Sequence, residues 1–267
     1  MSRLTTCFAK LNSAGKKAVI PYIVGGDPKK DSTVAQMHAL VRAGADVIEL
    51  GVPFSDPMAE GPVIQLAHER ALEHKTSLTE ILGMVSAFRS DDAETPVVLM
   101  GYLNPVEVMG YEAFSERAKK AGVDGVLTVD LPPEESAALK SALSAKGVDS
   151  IFLIAPTTTD VRIKAICEGA SGYLYYVSLK GVTGASHLDV SEVEEKVAVI
   201  RKNTTLPISV GFGIKDAASA KAIGATADGV VVGSALVHYY FEESEKSGWD
   251  ASKPPALIQS IRSAVDE

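Results

Sequence analysis

Two acidic residues, Glu49 and Glu60, stand where the sequence could carry out proton transfer. Glu49 lies in the apolar run Val47–Leu50, which is typical of a buried strand, and Glu60 follows in a segment rich in turn-forming residues. Because a carboxylate is costly to bury against packed helices, we expect Glu49 to face inward, where partial desolvation raises its pKa for general acid–base work. Two acids near one strand end could divide the acid and base roles.

Each acid also has a structural interpretation. Glu49 could belong to an ion pair inside the fold. Glu60 could be a charge at the N-terminus of the helix predicted at Val63–Leu72, which is a common arrangement. The residues alone leave both alternatives open.

Three glycine-rich segments indicate a second kind of chemistry, the binding of an anion. They are Lys180–Gly184, Val210–Ile214 and Val232–Ala235. Glycine turns at helix N-termini expose backbone N–H groups, and the helix dipole favours anions there. Each turn alone is weak evidence for anion binding, but together the three turns predict a phosphate site. Lys180–Gly184 also has the length and the glycines of a lid that closes over a phosphate ester.

The other candidates for chemistry are weaker. The five histidines show no metal-ligand spacing, so each is interpreted as a surface or helix histidine and no metal is expected. Nucleophile-elbow and nucleotide-binding glycine motifs do not occur in the sequence. Aromatic residues near strand ends are core residues in the simplest interpretation, but an aromatic substrate would make one or two of them stacking walls; they are Tyr22, Tyr102, Tyr173, Tyr175 and Phe212.

A weak internal repeat supplies the elements that would position these residues. A short segment ending in Asp precedes an apolar run four times, at Ala43–Asp46, Ala121–Asp124, Lys146–Asp149 and Ala225–Asp228. Glycine in such a segment tolerates the left-handed conformation that ends a helix. The uninterrupted apolar runs suit strands that are buried on both faces, as in parallel sheets.

Four more apolar runs bring the predicted strands to eight, at Ala18–Val24, Pro96–Gly101, Gly172–Val177 and Leu206–Val210. Amphipathic helical stretches alternate with the strands, which favours an α/β fold closed into a single (β/α)8 TIM barrel. Extra helices are predicted at Leu4–Leu11, covering the bottom of the barrel, and at Pro255–Val265. No linker of low complexity divides residues 1–267, so we expect one domain.

The barrel brings the candidate residues together, because active sites of such barrels lie at the C-terminal ends of the strands. Glu49 ends the second strand, and the glycine-rich segments follow strands six, seven and eight. The loops after strands seven and eight are the usual phosphate site of phosphate-binding barrels.

Composition excludes several classes of partner. The chain of 267 residues has a net charge of −8 and lacks a basic cluster that could follow a nucleic acid backbone. Its two cysteines indicate no disulfide framework, and no uncharged run approaches the length of a membrane span. We therefore expect a soluble cytoplasmic protein that binds neither nucleic acid nor membrane.

Long motifs resemble the tryptophan synthase α chain family. The segments Ile20–Pro28 and Glu49–Pro62 are similar to that family's first-strand motif and signature, and shorter matches run from Leu4 nearly to the C-terminus. The shorter matches are Tyr102 with Asn104, Asp130–Pro132 with Glu134, Gly181–Gly184 and Gly211–Gly213.

The resemblance implies a lyase that splits indole-3-glycerol phosphate into indole and glyceraldehyde 3-phosphate by retro-aldol cleavage. The family uses no metal and no cofactor in this chain. Its β partner holds pyridoxal phosphate and condenses the indole with serine in L-tryptophan biosynthesis. The indole passes through a tunnel within an α2β2 heterotetramer, and the two subunits regulate each other allosterically.

The resemblance also implies roles for individual residues. Glu49 would shuttle protons, and Glu60 occupies the position of a second acid, ordinarily Asp, that polarises the indole N–H. The other implied residues are substrate-binding Tyr22, Tyr175, Thr183 and Phe212, phosphate-binding Gly184, Gly213, Gly233 and Ser234, and β-chain contacts Asp56, Pro57, Asn104 and Pro132.

Glu60 is one methylene longer than the Asp that the family ordinarily has at this position, so its carboxylate is displaced. Because a misplacement of about 1 Å can cost ~10²-fold in rate, this difference suggests an alternative to the lyase function. The chain would then be a catalytically weak α-type subunit that acts mainly as an allosteric activator of its β partner. A triose or ribulose phosphate isomerase or epimerase is a further alternative. Such enzymes usually need a catalytic His, Lys or metal site that this sequence does not support.

Overall fold

Eight parallel strands close into a barrel and follow one another around it in chain order. The computed structural model describes residues 2–178, 190–211 and 213–267. In these ranges strands β1 to β8 are Ala18–Val24, Ile48–Gly51, Val97–Gly101, Gly125–Thr128, Asp149–Ile154, Leu174–Val177, Ile208–Gly211 and Gly229–Val232. The predicted α/β barrel is confirmed, with strand ends that differ from the predicted ones by no more than two residues.

Helices alternate with the strands. In the described part of the chain α1 to α12 are Arg3–Ser13, Thr33–Arg42, Pro62–Glu73, Leu78–Arg89, Leu103–Met109, Tyr111–Ala121, Ala137–Ala145, Asp160–Gly169, Val190–Arg201, Ala217–Gly224, Ser234–Ser244 and Ala256–Asp266. A short 3₁₀ turn, Pro133–Glu135, precedes α7. The two extra helices predicted at the ends of the chain are confirmed as α1 and α12.

Helix α1 covers the N-terminal end of the barrel, as predicted. Leu4 is fully buried, and a Cβ added to Gly125 or Gly172 would lie 3.1 Å from its side chain. Phe8 packs against Tyr173 with a distance of 5.7 Å between ring centroids. These contacts close the bottom of the barrel.

Alternation along β2 places successive side chains in two different cores. Ile48 and Leu50 belong to the cluster between the strands and the helices, whereas Val47 belongs to the cluster inside the barrel. Glu49 shares the inward face with Val47, and it pairs in register with Tyr22 of β1. The inward orientation expected for Glu49 is therefore confirmed.

The repeated Asp of the sequence fastens pairs of strands at the bottom of the barrel. Asp46 lies just before β2, and its carboxylate accepts a hydrogen bond from the Val19 N–H at 2.8 Å. The Asp46 N–H in turn donates a hydrogen bond to the Val19 carbonyl at 2.9 Å. The same two-way contact recurs before β4 and β8, between Asp124 and Val97 and between Asp228 and Ile208.

Strands β5 and β6 are joined in the same way by a different residue type. The Ser171 hydroxyl accepts the N–H of Ser150 at 2.9 Å, and the Ser171 N–H donates to the Ser150 carbonyl at 2.9 Å. The fourth repeat segment, Lys146–Asp149, precedes β5 instead, and Asp149 Oδ2 is buried without a partner among the described residues. We name Asp46, Asp124, Ser171 and Asp228 the clip residues; each joins an odd-numbered strand to the next one.

Every acidic clip residue also pairs with arginine. Asp124 contacts Arg3 at 2.9 Å and Arg89 at 2.7 Å. The other two pairs are Asp46 with Arg262 at 2.7 Å and Asp228 with Arg201 at 2.9 Å. The carboxylates of these three clip residues are thus satisfied by both backbone N–H groups and cations.

Candidate active site

Glu49 lies at the centre of the candidate site, fully buried inside the barrel. The Tyr173 hydroxyl donates a hydrogen bond to Oε1 at 2.5 Å, whereas Oε2 has no hydrogen-bond partner within the described residues. Burial raises the pKa of Glu49 to about 8, the Tyr173 hydrogen bond opposes this rise, and the charge of Glu60 adds to it. A carboxyl group with this pKa can hold a proton and release it near neutral pH.

Glu60 supplies a second buried acid above the same strand. It precedes α3, whose N-cap is Gly61 and whose first residue is Pro62, a residue that favours the first turn of a helix. The Glu60 N–H donates to the Pro57 carbonyl at 2.9 Å, which closes a tight turn. Only 4% of Glu60 is exposed, and burial raises its pKa to about 7. A well-solvated charge at the start of a helix does not fit this environment.

Tyr102 holds the loop that carries Glu60. Its hydroxyl oxygen accepts the N–H of Ala59 at 3.1 Å, and its ring stacks on Phe54 with 5.2 Å between centroids. Burial, followed by the charge of Glu60, raises the pKa of the Tyr102 hydroxyl. Contacts at two points of the loop fix its course between the end of β2 and α3.

Tyr22 forms a wall of the site, where the sequence predicted an aromatic one. It is buried, and a Cβ on Gly51 would lie 2.4 Å from its hydroxyl oxygen, so only glycine fits beneath the ring. Burial raises the pKa of Tyr22, and the charges of Glu60 and then Glu49 add to this effect. Tyr22 also pairs in register with Glu49, which places the two residues side by side on β1 and β2.

Tyr175 and Tyr173 both lie on the inward face of β6 and its entry. Tyr175 is buried and covers Gly211, and its pKa is raised by burial and then by the charges of Glu49 and Glu60. The hydrogen bond to Glu49 comes from Tyr173, which the sequence had marked only as a core residue or a stacking wall. Alternation places both tyrosines on the inward face, and that spacing of two residues was the available signal.

His68 is the site residue that the sequence analysis missed. It lies in α3, as a helix histidine, but the surface interpretation is wrong because only 2% of it is exposed. Burial lowers its pKa to about 4, so the imidazole is neutral. The apolar stripe of α3 contains Ile64, Ala67 and Ala71, and the position of His68 within this stripe could have revealed its burial.

The predicted phosphate loops flank the same end of the barrel. Gly213 follows β7 with φ of +79°, and Gly233 follows β8 as the N-cap of α11, which begins at Ser234. No side chain of the described residues caps this helix, and a Cβ on Gly233 would lie 3.9 Å from the Tyr22 ring. The Leu236 N–H donates to the Gly233 carbonyl at 2.9 Å, so within the described ranges the N–H groups of Ser234 and Ala235 remain available to an anion beside the wall. Thr183, Gly184 and Phe212 lie outside the described residues.

The predicted β-chain contacts follow the C-terminal ends of β2, β3 and β4, with Asp56, Pro57 and Pro132 in loops and Asn104 in the first turn of α5. Asp56 and Asn104 are exposed, and Pro57 and Pro132 are half-buried. Met58 and Val108, which lie in the same segments as Asp56 and Asn104, are 70% and 82% exposed. The structure therefore leaves these four residues accessible at the edge of the site.

The part of the chain described above lacks two other kinds of site. It contains no group of three or more His, Cys, Asp or Glu residues arranged to hold a metal ion. No helix in it is long and apolar enough to cross a membrane.

Comparison with known proteins agrees with this geometry. The family model described as tryptophan synthase alpha chain matches residues 8–265. The chain belongs to the tryptophan synthase alpha chain family. It is accordingly an α subunit of tryptophan biosynthesis and a lyase, as the motifs implied.

Relatives and solved structures cover the whole chain. The tryptophan synthase alpha chain of Thioalkalivibrio sulfidiphilus is 60% identical over 266 residues, covering 100% of both chains. The alpha chain of Chromobacterium violaceum is 65% identical and covers 89% of this chain and 90% of its own. A crystal structure of the alpha subunit from Legionella pneumophila has a TM-score of 0.92 at 45% identity and covers 100% of this chain and 99% of its own.

Proposed function

We propose that this chain cleaves indole-3-glycerol phosphate to indole and glyceraldehyde 3-phosphate with Glu49 as the group that moves both protons. The observation that carries this assignment is the state of Glu49, fully buried inside the barrel, with Oε2 unpartnered among the described residues and a pKa raised to about 8. A structural ion pair would require a cation beside it, and the described residues include none within ion-pair distance.

The reaction needs a proton on one carbon and the removal of a proton from one oxygen. Protonated Glu49 donates to C3 of the indole ring, which weakens the bond between C3 and the glycerol chain. The resulting carboxylate accepts the proton of the adjacent glycerol hydroxyl as that bond breaks, so that an aldehyde and indole leave. The group returns to its protonated state, and no net proton is consumed.

Glu60 stabilises the positive charge that protonation at C3 creates on the ring. Its ionised carboxylate accepts the indole N–H, and a buried site strengthens this interaction because little water competes for it. The raised pKa values of Glu49 and Glu60, about 8 and about 7, favour the arrangement in which Glu60 ionises first. Repulsion between the two carboxylates further favours the state in which only one of them is ionised.

The remaining residues hold the substrate. Tyr22 and Tyr175 contact the indole from the barrel wall, and Phe212 and Thr183 complete this enclosure. The phosphate binds the backbone N–H groups at Gly184, Gly213, Gly233 and Ser234. The uncapped start of α11 next to the Tyr22 ring supports this placement.

We further propose that the chain works with a β chain in an α2β2 heterotetramer and passes its indole to that partner. The loops with Asp56, Pro57, Asn104 and Pro132 would form the contact, and the exposure of Met58 and Val108 supports an interface there. This chain would need no cofactor, and pyridoxal phosphate would belong to the β chain. One domain over residues 1–267 and a cytoplasmic location, compatible with free Cys7 and Cys167, complete the proposal.

Release of indole from indole-3-glycerol phosphate tests the proposed function. The purified chain is expected to release indole slowly, and addition of the β chain is expected to increase the rate. A chain that releases none in either condition, yet raises the serine-dependent activity of the β chain, would instead be an allosteric activator.

A further inference from the structure

The imidazole of His68 is held between a loop and the pocket wall. Its Nδ1 lies 3.0 Å from the backbone nitrogen of Phe54, and its Nε2 lies 3.4 Å from the hydroxyl oxygen of Tyr22. A backbone N–H can only donate, so Nδ1 must be the unprotonated nitrogen. The neutral ring then carries its proton on Nε2, and this N–H donates to Tyr22.

The direction of the Tyr22 hydroxyl proton follows from that bond. Because the oxygen accepts from His68, its own proton must point elsewhere. The oxygen lies over Gly51, at the end of β2 and two residues beyond Glu49 in that strand, and Glu49 pairs in register with Tyr22. The proton is therefore available to a group other than His68 at this end of β2.

The rest of the Tyr22 side chain relates this proton to the phosphate site. A Cβ on Gly233 would lie 3.9 Å from the ring and 4.0 Å from the Tyr22 Cβ. The side chain thus starts beside the candidate phosphate loop and ends beside the acids. A substrate chain that joins a phosphate to a reacting carbon would run along the same path.

We propose that His68 is a positioning residue that fixes the Tyr22 hydroxyl as a hydrogen-bond donor to the hydroxyl oxygen of the substrate's glycerol chain. This inference rests on the proposed function, and it adds a residue to the recognition of the substrate. As that oxygen loses its proton it gains negative charge. A fixed hydrogen-bond donor stabilises the charged oxygen more strongly than it stabilises the neutral hydroxyl of the bound substrate. His68 also anchors the loop of Glu60 through Phe54, so one ring aligns both groups.

Removal of the Tyr22 hydroxyl gives the primary test. Tyr22→Phe is expected to lower kcat/KM for indole-3-glycerol phosphate about 10-fold, mainly through kcat. The matched probe is 3-(indol-3-yl)propyl phosphate, which lacks the chain hydroxyls, and its dissociation constant should change less than about twofold. Equal losses for substrate and probe would overturn the proposal, because a damaged pocket wall weakens both.

Two substitutions separate the two nitrogens of His68. In His68→Asn the side-chain oxygen can replace Nδ1 and accept from Phe54, but nothing reaches Tyr22. In His68→Gln the amide N–H can replace Nε2–H toward Tyr22, but the Phe54 N–H loses its acceptor. His68→Asn should reproduce the fall in kcat/KM, and His68→Gln should retain more than half of the parent kcat while lowering the melting temperature.

A double substitution tests whether the two residues act as one unit. In the Tyr22→Phe background, His68→Asn should lower kcat/KM by less than about twofold further, because no hydroxyl remains to be positioned. Additive losses, or a His68→Asn variant as active as the parent, would overturn the positioning role.

Nitrogen NMR of the His68 imidazole distinguishes a failure of this inference from a failure of the proposed function. The ¹⁵N spectrum of the whole chain at neutral pH should show His68 protonated at Nε2 only, and Tyr22→Phe should shift the Nε2 signal. A parent chain that releases no indole while the tautomer is as expected would refute the proposed function alone. Protonation at Nδ1 would refute the role of His68, whatever the activity.

Discussion

The buried carboxylates of Asp124, at the bottom of the barrel, and of Glu49 and Glu60, at its top, have opposite surroundings. At the bottom, Asp124 accepts a backbone N–H and contacts two arginines, Arg3 and Arg89. At the top, Glu49 accepts one hydrogen bond from a neutral tyrosine, and no cation of the described residues pairs with it or with Glu60. Positive charge compensates Asp124 and also Asp27 at the top, which contacts Arg70 at 2.6 Å, but it compensates neither Glu49 nor Glu60 among the described residues.

The difference separates a carboxylate that stabilises the fold from the two carboxylates that could exchange protons. A compensated carboxylate stays ionised and stabilises the strands that it joins. An uncompensated one is held partly protonated, at a cost to stability, and can exchange its proton near neutral pH. Each substitution below should therefore affect one property and leave the other nearly unchanged.

The largest effect is expected for Glu49→Gln. The amide keeps the shape of the side chain but cannot carry the proton, so kcat/KM for indole-3-glycerol phosphate should fall by about 10³-fold or more. Steady-state indole release measures this loss. Binding of 3-(indol-3-yl)propyl phosphate serves as the control, and a variant that keeps turnover within tenfold of the parent would refute the role of Glu49.

The corresponding change at the bottom is Asp124→Ala. It leaves the Arg89 guanidinium, which is 10% exposed, without its carboxylate and should lower the free energy of unfolding by about 3–5 kcal/mol. Urea denaturation measures the change, and kcat per folded molecule should stay within about twofold of the parent.

Asp228→Ala is the matched control for this loss. Asp228 pairs with Arg201 at the same end of the barrel, but the two side chains are 31% and 46% exposed. Solvent screens this ion pair, so the free energy of unfolding should fall by only about 1–2 kcal/mol. Equal losses at Asp124 and Asp228 would contradict the claim that desolvated charge sets the cost.

The dependence of stability on pH gives a third contrast. The folded-state pKa of Glu49, about 8, exceeds the ordinary value of 4.5, so the folded chain binds the extra proton and the parent loses stability as pH rises from 5 to 8. Glu49→Gln removes this loss. The variant should gain about 2–3 kcal/mol relative to the parent between pH 5 and pH 8, as measured by urea denaturation at each pH. A gain that grows toward acid pH would have the wrong sign.

The smallest effect is expected for Glu60→Asp. The shorter side chain keeps the charge and moves it by about one methylene, so turnover should stay within about tenfold of the parent in either direction. The assay is again indole release, with and without the β chain. A much larger gain would identify Glu60 as a handicap and support the activator alternative.

Much of the barrel was predictable because its signals are local. Uninterrupted apolar runs and the Asp-terminated repeat identified all eight strands, and alternation within β2 gave the inward direction of Glu49. The Lys146–Asp149 segment shows the limit of this approach. It matches the repeat in sequence, yet the clip residue of β5 and β6 is Ser171. A serine hydroxyl can accept a hydrogen bond from a backbone N–H in the same way that a carboxylate can.

The finer geometry of the site depends on contacts between distant parts of the chain. Tyr173 reaches Glu49 across 124 residues of sequence, and two inward tyrosines offered no local means of choosing between them. His68 joins residues 14 and 46 positions away. Such partners become apparent only when the strands have been closed into a barrel.

The clip residues also divide the barrel into four consecutive quarters, each of two strands with their helices. Within every quarter a side chain ties the first strand to the second, whereas β2 meets β3 through backbone hydrogen bonds alone in the described ranges. A circular permutant opened between β2 and β3, near Asp92, would keep all four clips within continuous chain. One opened between β1 and β2 would divide a clip between the two new termini, so the quarter is the natural unit for rearranging this chain.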